Sequence, residues 1–237
     1  MSVSGKGKRI AVVGGGLGGL VAADRLLAQG HRVVVYEKYP GAGGLVGTDA
    51  VGGVPLERFY HHLFTSDVDY VSLAGELGLG QDIQWLKSRM GMFSGGRLFD
   101  FGTPTSLLKF SALSLAGRLD FALSTLRLRR ITDWRSIEGE TAAGWLRGHG
   151  YHEVYEKVWG PLLFQKYGAR AEEIGLVWLW GKISLRTRSR DKSGLGERLG
   201  YMKGSFGRGI DALLSRLTKA GGELRLARPV RLLAKGD

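Results

Sequence analysis

The sequence predicts an α/β fold built on a parallel sheet, with a mostly helical region inserted into it. Three observations predict this. An apolar run from Ile10 to Val13 leads directly into Gly14-Gly15-Gly16-Leu17-Gly18-Gly19. A second run, His31 to Tyr36, is rich in β-branched residues and delivers an acid, Glu37, at its end. From about Ser106 to Leu185 the pattern is mainly helical, broken near Thr132 and Gly148, before a strand-like stretch returns at Glu223 to Ala227.

The first run reads as a buried parallel strand. Gly14, Gly16 and Gly19 occupy the G-x-G-x-x-G positions at the strand-to-helix turn: Gly14 for the tight turn, Gly16 for close approach of a pyrophosphate, Gly19 for packing of helix on strand. The helix runs from about Leu17 to Gln29. Leu20, Val21, Ala23, Leu26 and Leu27 form its apolar side, Gly30 closes it, and its free N–H groups face the phosphates. The second strand brings Glu37 to its carboxyl end. That carboxylate can accept hydrogen bonds from both ribose hydroxyls and repels a 2′-phosphate, which selects FAD or NAD over NADP. Together these elements make a Rossmann-like FAD/NAD(P)-binding domain.

After Glu37 the chain replaces a crossover helix with a loop, Lys38 to Gly44, whose Gly43-Gly44 pair again offers backbone N–H groups to an anion. Ser66-Asp67-Val68-Asp69 starts a helix that stops at Gly78, a strand follows at Ile83 to Leu86, and Met90 to Phe101 reads as a small β-hairpin turning at Gly95-Gly96. Gly209 to Ala220 is amphipathic, with Ile210, Leu213, Leu214 and Leu217 on one side. The expected organisation is a nucleotide domain from residues 1–65 and 204–237, and a mostly helical substrate domain from 66–203.

Composition sets bounds on function. With 237 residues, 43% of them hydrophobic, the chain can bury a sizeable core. No cysteine is present, which excludes disulfides and thiolate metal sites. Five histidines without a helical pairing pattern predict no metal. The net charge of +12 concentrates between Arg118 and Arg135 and between Lys182 and Arg208. No recognition helix or aromatic RNA-binding pattern accompanies it, so nucleic acid is not an expected partner. The segment 107–127 mixes apolar positions with arginines, as an interfacial or a pocket-lining helix pair does. With neither a signal peptide nor a long apolar stretch, the expected location is cytoplasmic, with peripheral contact on the inner face of the membrane as a further option.

The stretches Val12 to Gly19, Val35-Tyr36-Glu37-Lys38 and Gly43-Gly44 resemble the N-terminus of the flavin amine oxidase superfamily, which includes monoamine oxidases, protoporphyrinogen oxidases and phytoene desaturases. Glu57 to His62, Leu77 to Leu79, Trp159 to Leu163, Lys166 to Gly168, Arg186 to Arg190 and Gly200 to Phe206 are similar to its protoporphyrinogen-oxidase-like branch. The resemblance implies FAD, held by Gly14, Gly15, Gly16, Leu17, Gly18, Gly19, Glu37, Lys38, Gly43, Gly44, Arg58 and the backbone of Val230. Many members follow the second glycine pair with an arginine; here it is Leu45. The resemblance also implies hydride transfer from a hydrophobic or amine-bearing small molecule to flavin N5, chemistry that needs no strong protein acid or base, so no catalytic residue is assigned. A later segment that holds the flavin ring in the family is not in this sequence. The chain is therefore expected to be either a split or truncated gene product or an incomplete flavoprotein, with a second chain supplying that segment as one option. Two other readings stay open: a non-redox flavoenzyme resembling UDP-galactopyranose mutase, and a nucleotide-binding subunit.

Among the remaining residues, His61 and His62 read as a packed pair at a domain junction ahead of a proton-transfer role. Trp159, Trp178 and Trp180 read as core ahead of a substrate box.

Overall fold

A computed structural model describes residues 7–188 and 197–234. The end of the Arg186 to Arg190 stretch and part of the Lys182 to Arg208 basic cluster lie outside the described residues. In chain order the elements are β1 (Arg9–Val13), α1 (Leu17–Ala28), β2 (Arg32–Tyr36), β3 (Thr48–Val51), β4 (Val54–Glu57), β5 (Leu63–Phe64), α2 (Val68–Glu76), β6 (Ile83–Ser88), β7 (Met90–Ser94) and β8 (Arg97–Phe101). Then follow α3 (Pro104–Lys109), α4 (Leu115–Arg130), α5 (Ala142–Gly148), α6 (His152–Val154), α7 (Gly160–Tyr167), α8 (Leu176–Arg188), β9 (Glu197–Met202), α9 (Gly207–Lys219) and β10 (Glu223–Arg225).

The chain forms two compact units. The first contains residues 1–63, 67–85 and 200–237; the second contains 64–66 and 86–199. These limits differ from the sequence division at 65 and 204. Residues 67–85 go with the first unit because Leu73 packs with Leu20 and Leu213, while Ala74 and Ile83 pack with Met202 and Phe206.

In the first unit β1 and β10 both lie parallel to β2, giving the order β1-β2-β10. Val33 and Val35 of β2 are buried, as the central strand of a parallel sheet requires. α1 and α9 cover them through Leu20, Ala23, Ile210, Leu213 and Leu217. Within this apolar contact sits one acid. Asp24 is only 7% exposed, and its two oxygens accept from Nε and Nη2 of Arg216, each at 2.6 Å. This bidentate pair fastens α1 to α9. The sequence conceals it, because a lone aspartate on an apolar helix side looks like an interruption until its partner, 192 positions away, is known.

Two features of the fold were not anticipated. β3 and β4 form an antiparallel hairpin whose Gly52 and Gly53 both have positive φ, +59° and +81°. That is the two-residue turn a glycine pair favours. β9 lies between β5 and β6 in a three-stranded sheet; its glycine hid it from a propensity reading, yet a Cβ at Gly200 would sit 3.0 Å from the Trp85 ring and 3.1 Å from Leu63 Cβ. Absence of a side chain is what lets this strand pack there.

The second unit carries the hairpin β7-β8, paired from Met90↔Phe101 to Ser94↔Arg97 and turning at Gly95-Gly96 as the sequence indicates. Three of its helices start on side-chain caps. Thr103 and Ser106 form a reciprocal capping box on α3, Ser114 accepts from Gly117 N–H at 2.9 Å on α4, and Thr141 accepts from Gly144 N–H at 3.0 Å on α5. Leu128, Trp145, Leu146, Val154, Leu163, Leu176 and Leu179 make the helical core. Trp178 and Trp180, both partly buried, pack against it, and Trp180 Nε1–H donates to Ile131 O at 3.0 Å. In the basic cluster Arg118 ties the α3–α4 turn through the carbonyls of Phe110, Leu113 and Leu108. No helix among the described residues is long and apolar enough to cross a membrane.

Asp24→Asn removes the charge that Arg216 requires in a largely desolvated contact, so it should lower the free energy of unfolding by about 2 kcal/mol. Urea denaturation of the two proteins measures this, with Arg216→Ala in the Asp24→Asn background expected to add little.

Candidate functional site

β1 passes into α1 through glycines that serve different purposes. Gly14 has φ +106°, a conformation strained for any side chain, and its N–H donates to Tyr36 O at 2.8 Å, closing the turn onto the end of β2. Gly19 lies in the first turn of α1, where a Cβ would run into the Gly14 carbonyl. Gly16 is under neither constraint. Its φ of −75° and ψ of 175° suit any residue, and the nearest atom to a Cβ there would be Gly44 Cα at 3.8 Å. A side chain at Gly16 would fill the cradle ahead of the helix. Gly18 is exposed, with nothing within 4 Å of a Cβ, and Leu17 packs on the core below.

α1 begins with no side-chain cap and no acid in its first turn, so the positive end of its dipole is left uncompensated by protein. The second glycine pair meets this terminus. Gly43 N–H donates to Gly15 O at 2.8 Å, and Gly43 bridges Gly16 in parallel fashion. Gly43 and Gly44 both have positive φ, +112° and +58°, and a Cβ on Gly44 would sit 3.1 Å from Gly16 Cα. Two glycine loops separated by all of α1 and β2 therefore touch main chain to main chain.

Glu37 is buried beside them, 6% exposed. Its Oε2 accepts from Gly15 N–H at 2.7 Å and its Oε1 from Tyr39 N–H at 2.9 Å. Burial pushes its pKa up, but the N–H groups of Tyr39, Gly15 and Lys38 together with the Lys38 charge outweigh that and hold it below the ordinary 4.5. With about four lone-pair sites and three backbone N–H groups turned to it, the carboxylate keeps capacity for a further donor. The Lys38 ammonium lies 4.7 Å from the centre of the Tyr39 ring.

Arg58 is at the edge of the second loop, where its N–H donates to Gly47 O at 3.1 Å. Its guanidinium makes a bidentate pair with Asp49 across β3-β4, at 3.0 and 2.9 Å, so its charge is already matched. Val230 is 38% exposed, in a segment that starts where Ala227 N–H donates to Tyr39 O and Arg228 N–H to Glu37 O. That segment thus leaves from the same end of β2 that presents Glu37. His61 Nδ1 is 2.6 Å from Phe59 O, a local turn contact.

Several residues that shape this region escaped the sequence reading. Asp49 was one, although opposite charges flanking Gly52-Gly53 would have suggested a cross-strand pair had the hairpin been read. Glu57 was another: it accepts from Tyr201 Oη at 2.8 Å and from Phe206 N–H at 2.8 Å, anchoring β4 to the start of α9. Burial first, then the Glu57 carboxylate, push the Tyr201 phenol up to about 12.

A crossover of this kind, with a strand-end carboxylate beside it, defines the dinucleotide-binding class of α/β protein. Comparison with known proteins narrows the class. Residues 17–237 match the family described as flavin containing amine oxidoreductase. The chain is 30% identical over 182 residues to zeta-carotene desaturase of Synechocystis, covering 66% of this chain and 37% of that protein. It is 25% identical over 177 residues to the mitochondrial protoporphyrinogen oxidase of Nicotiana tabacum, covering 71% and 34%. An oxidoreductase from Methanosarcina mazei has the same fold with a TM-score of 0.62 at 22% identity, covering 93% of this chain and 51% of that one. The chain belongs to the flavin-containing amine oxidoreductase family, which binds FAD. It spans about a third of the length of these curated relatives and about half of the solved structure.

The depressed pKa of Glu37 fixes the direction of a pH effect. Its bonds stabilise the folded protein fully above the ordinary 4.5 and are lost as pH falls through the lower folded value. Glu37→Gln should cost about 2 kcal/mol at neutral pH. The gap between the urea midpoints of the two proteins should then narrow as pH drops below 4.5. A gap that stays constant into acid would show that the carboxylate charge contributes nothing.

Proposed function

We propose that this chain binds FAD at the crossover and belongs to an FAD-dependent oxidoreductase acting on a hydrophobic or amine-bearing small molecule. The observation that carries the reading is the main-chain contact of Gly43-Gly44 with Gly15-Gly16 ahead of an uncapped α1, beside a buried, ionised Glu37. The donor set fits the cofactor. N–H groups of the Gly14 to Gly19 turn suit a diphosphate, Glu37 suits a ribose diol, and Gly43-Gly44 supplies a second side-chain-free surface for the extended part of the molecule. Lys38 and Arg58 flank these positions, and the main chain at Val230 is the contact assigned to adenine. FAD supplies the hydride acceptor when bound. The protein's part is to orient the cofactor and keep its charges matched.

The reading includes completion of the nucleotide domain by further polypeptide. β1 has β2 on one side and no strand on the other among the described residues. Val13 at its end is 57% exposed. A strand from a second chain, or from a longer form of this one, would pair along that edge.

Reconstitution with FAD tests the proposal. After desalting, the protein should retain the visible flavin absorption bands. Glu37→Ala should weaken FAD binding by about tenfold to a hundredfold, the worth of a charge-assisted hydrogen-bonded contact. Combining it with Gly16→Val, which fills the cradle, should abolish retention. Equal affinity in the folded double variant would overturn the reading.

A further inference from the structure

The second unit holds a cavity of about 310 Å³, at the small end of the range typical of ligand sites. One side of it is α4. Ala122, Thr125, Leu126 and Arg129 line it at i, i+3, i+4 and i+7 spacing, so a single helix face is turned to the cavity and Arg129 ends the row. The aromatic wall is ordered: Phe101 meets Phe121 edge-on at 5.4 Å, and Phe121 stacks on Trp159 at 6.0 Å with a 9° interplanar angle. Trp159 closes the π turn of Tyr155–Trp159 that joins α6 to α7.

The charges of the lining do not balance. Arg186 Nη1 is 2.8 Å from Glu197 Oε2, so those two charges offset one another, while Glu197 Oε1 is buried and has no hydrogen-bond partner among the described residues. The Arg129 side chain, on the last turn of α4, has no ion pair or hydrogen bond among the described residues. Among the described residues the cavity therefore presents an apolar, partly aromatic body and one positive charge in excess. A carboxylate there would pair with Arg129, whereas an ammonium would meet two guanidinium groups against one carboxylate, whose Oε2 is held by Arg186 and which leaves only Oε1 to accept, so the lining keeps a net positive charge.

We infer that this cavity binds a molecule with an apolar body and a single carboxylate, held by Arg129, and that it discriminates against amines. The binding concerns the second unit alone; its role as the substrate cavity rests on the FAD-dependent reading above, and within that reading it selects the hydrophobic substrate over the amine-bearing one.

The test is calorimetric titration of the whole chain, without added FAD, with dodecanoate, dodecylamine and 1-dodecanol below their micelle-forming concentrations. Dodecanoate should bind with one-to-one stoichiometry about tenfold or more tighter than dodecylamine. Arg129→Gln should remove that preference while leaving 1-dodecanol affinity unchanged, which also shows that the variant is folded. Ala122→Trp, projecting from the same helix face into the cavity, should weaken all three probes; Leu126→Trp serves the same purpose if the first variant unfolds. Equal affinity for dodecanoate and dodecylamine in the unsubstituted protein overturns the inference. So does a preference that survives Arg129→Gln, or binding indifferent to a folded cavity-filling variant. FAD retention measured on the same preparations separates the two claims: flavin kept without a carboxylate preference defeats the cavity assignment alone, and the reverse result defeats the cofactor assignment alone.

Discussion

The hydrogen bond from Gly43 N–H to Gly15 O, with the Gly16–Gly43 bridge it belongs to, is the constraint around which the first unit is arranged. It brings two loops together main chain to main chain. The contact constrains Gly44, whose Cβ would sit 3.1 Å from Gly16 Cα, while a Cβ on Gly16 would meet Gly44 Cα at an ordinary 3.8 Å. A Cβ on Gly43 would also sit 2.8 Å from Gly47 Cα, so the loop must fold tightly on itself before it can reach the crossover. The chain consequently runs past Gly47 into β3 and β4, whose Asp49–Arg58 pair holds the far side of the same loop.

Electrostatics complete the arrangement. An uncapped helix start concentrates partial positive charge, and the nearest buried acid, Glu37, is tied to Gly15 and Tyr39. The carboxylate thereby stiffens the turn from behind while leaving the helix terminus itself uncovered. In the second unit the same logic takes a different form: one guanidinium is cancelled by Glu197 and another, Arg129, is left on the cavity wall.

Much of this was legible before any coordinates. β1, α1, β2 and Glu37 could be read because the information is local: apolar runs of the right period, glycines at fixed offsets, an acid at a strand end. The β7-β8 hairpin was read for the same reason. What escaped was carried by distant partners. Asp24 acquires meaning only through Arg216, Glu57 only through Tyr201 and Phe206, and Gly200 only through Trp85 and Leu63. The Gly43-Gly44 loop could be marked as glycine-rich from sequence, but its contact with Gly16 is tertiary. Arg129 was visible only as one of a cluster of arginines, because the partners that occupy Arg118, and the lack of one at Arg129 among the described residues, are properties of the fold.

The Asp24–Arg216 clasp and the parallel pairing of β10 with β2 have a consequence for how the polypeptide emerges from the ribosome. Residues up to Tyr36 leave the exit tunnel with Leu20, Val33 and Val35 lacking the cover that α9 later provides. Translation at about 5–20 residues per second leaves that surface bare for many seconds while the helical insert is made. Any pause in translation ahead of α9 prolongs the exposure of this apolar surface.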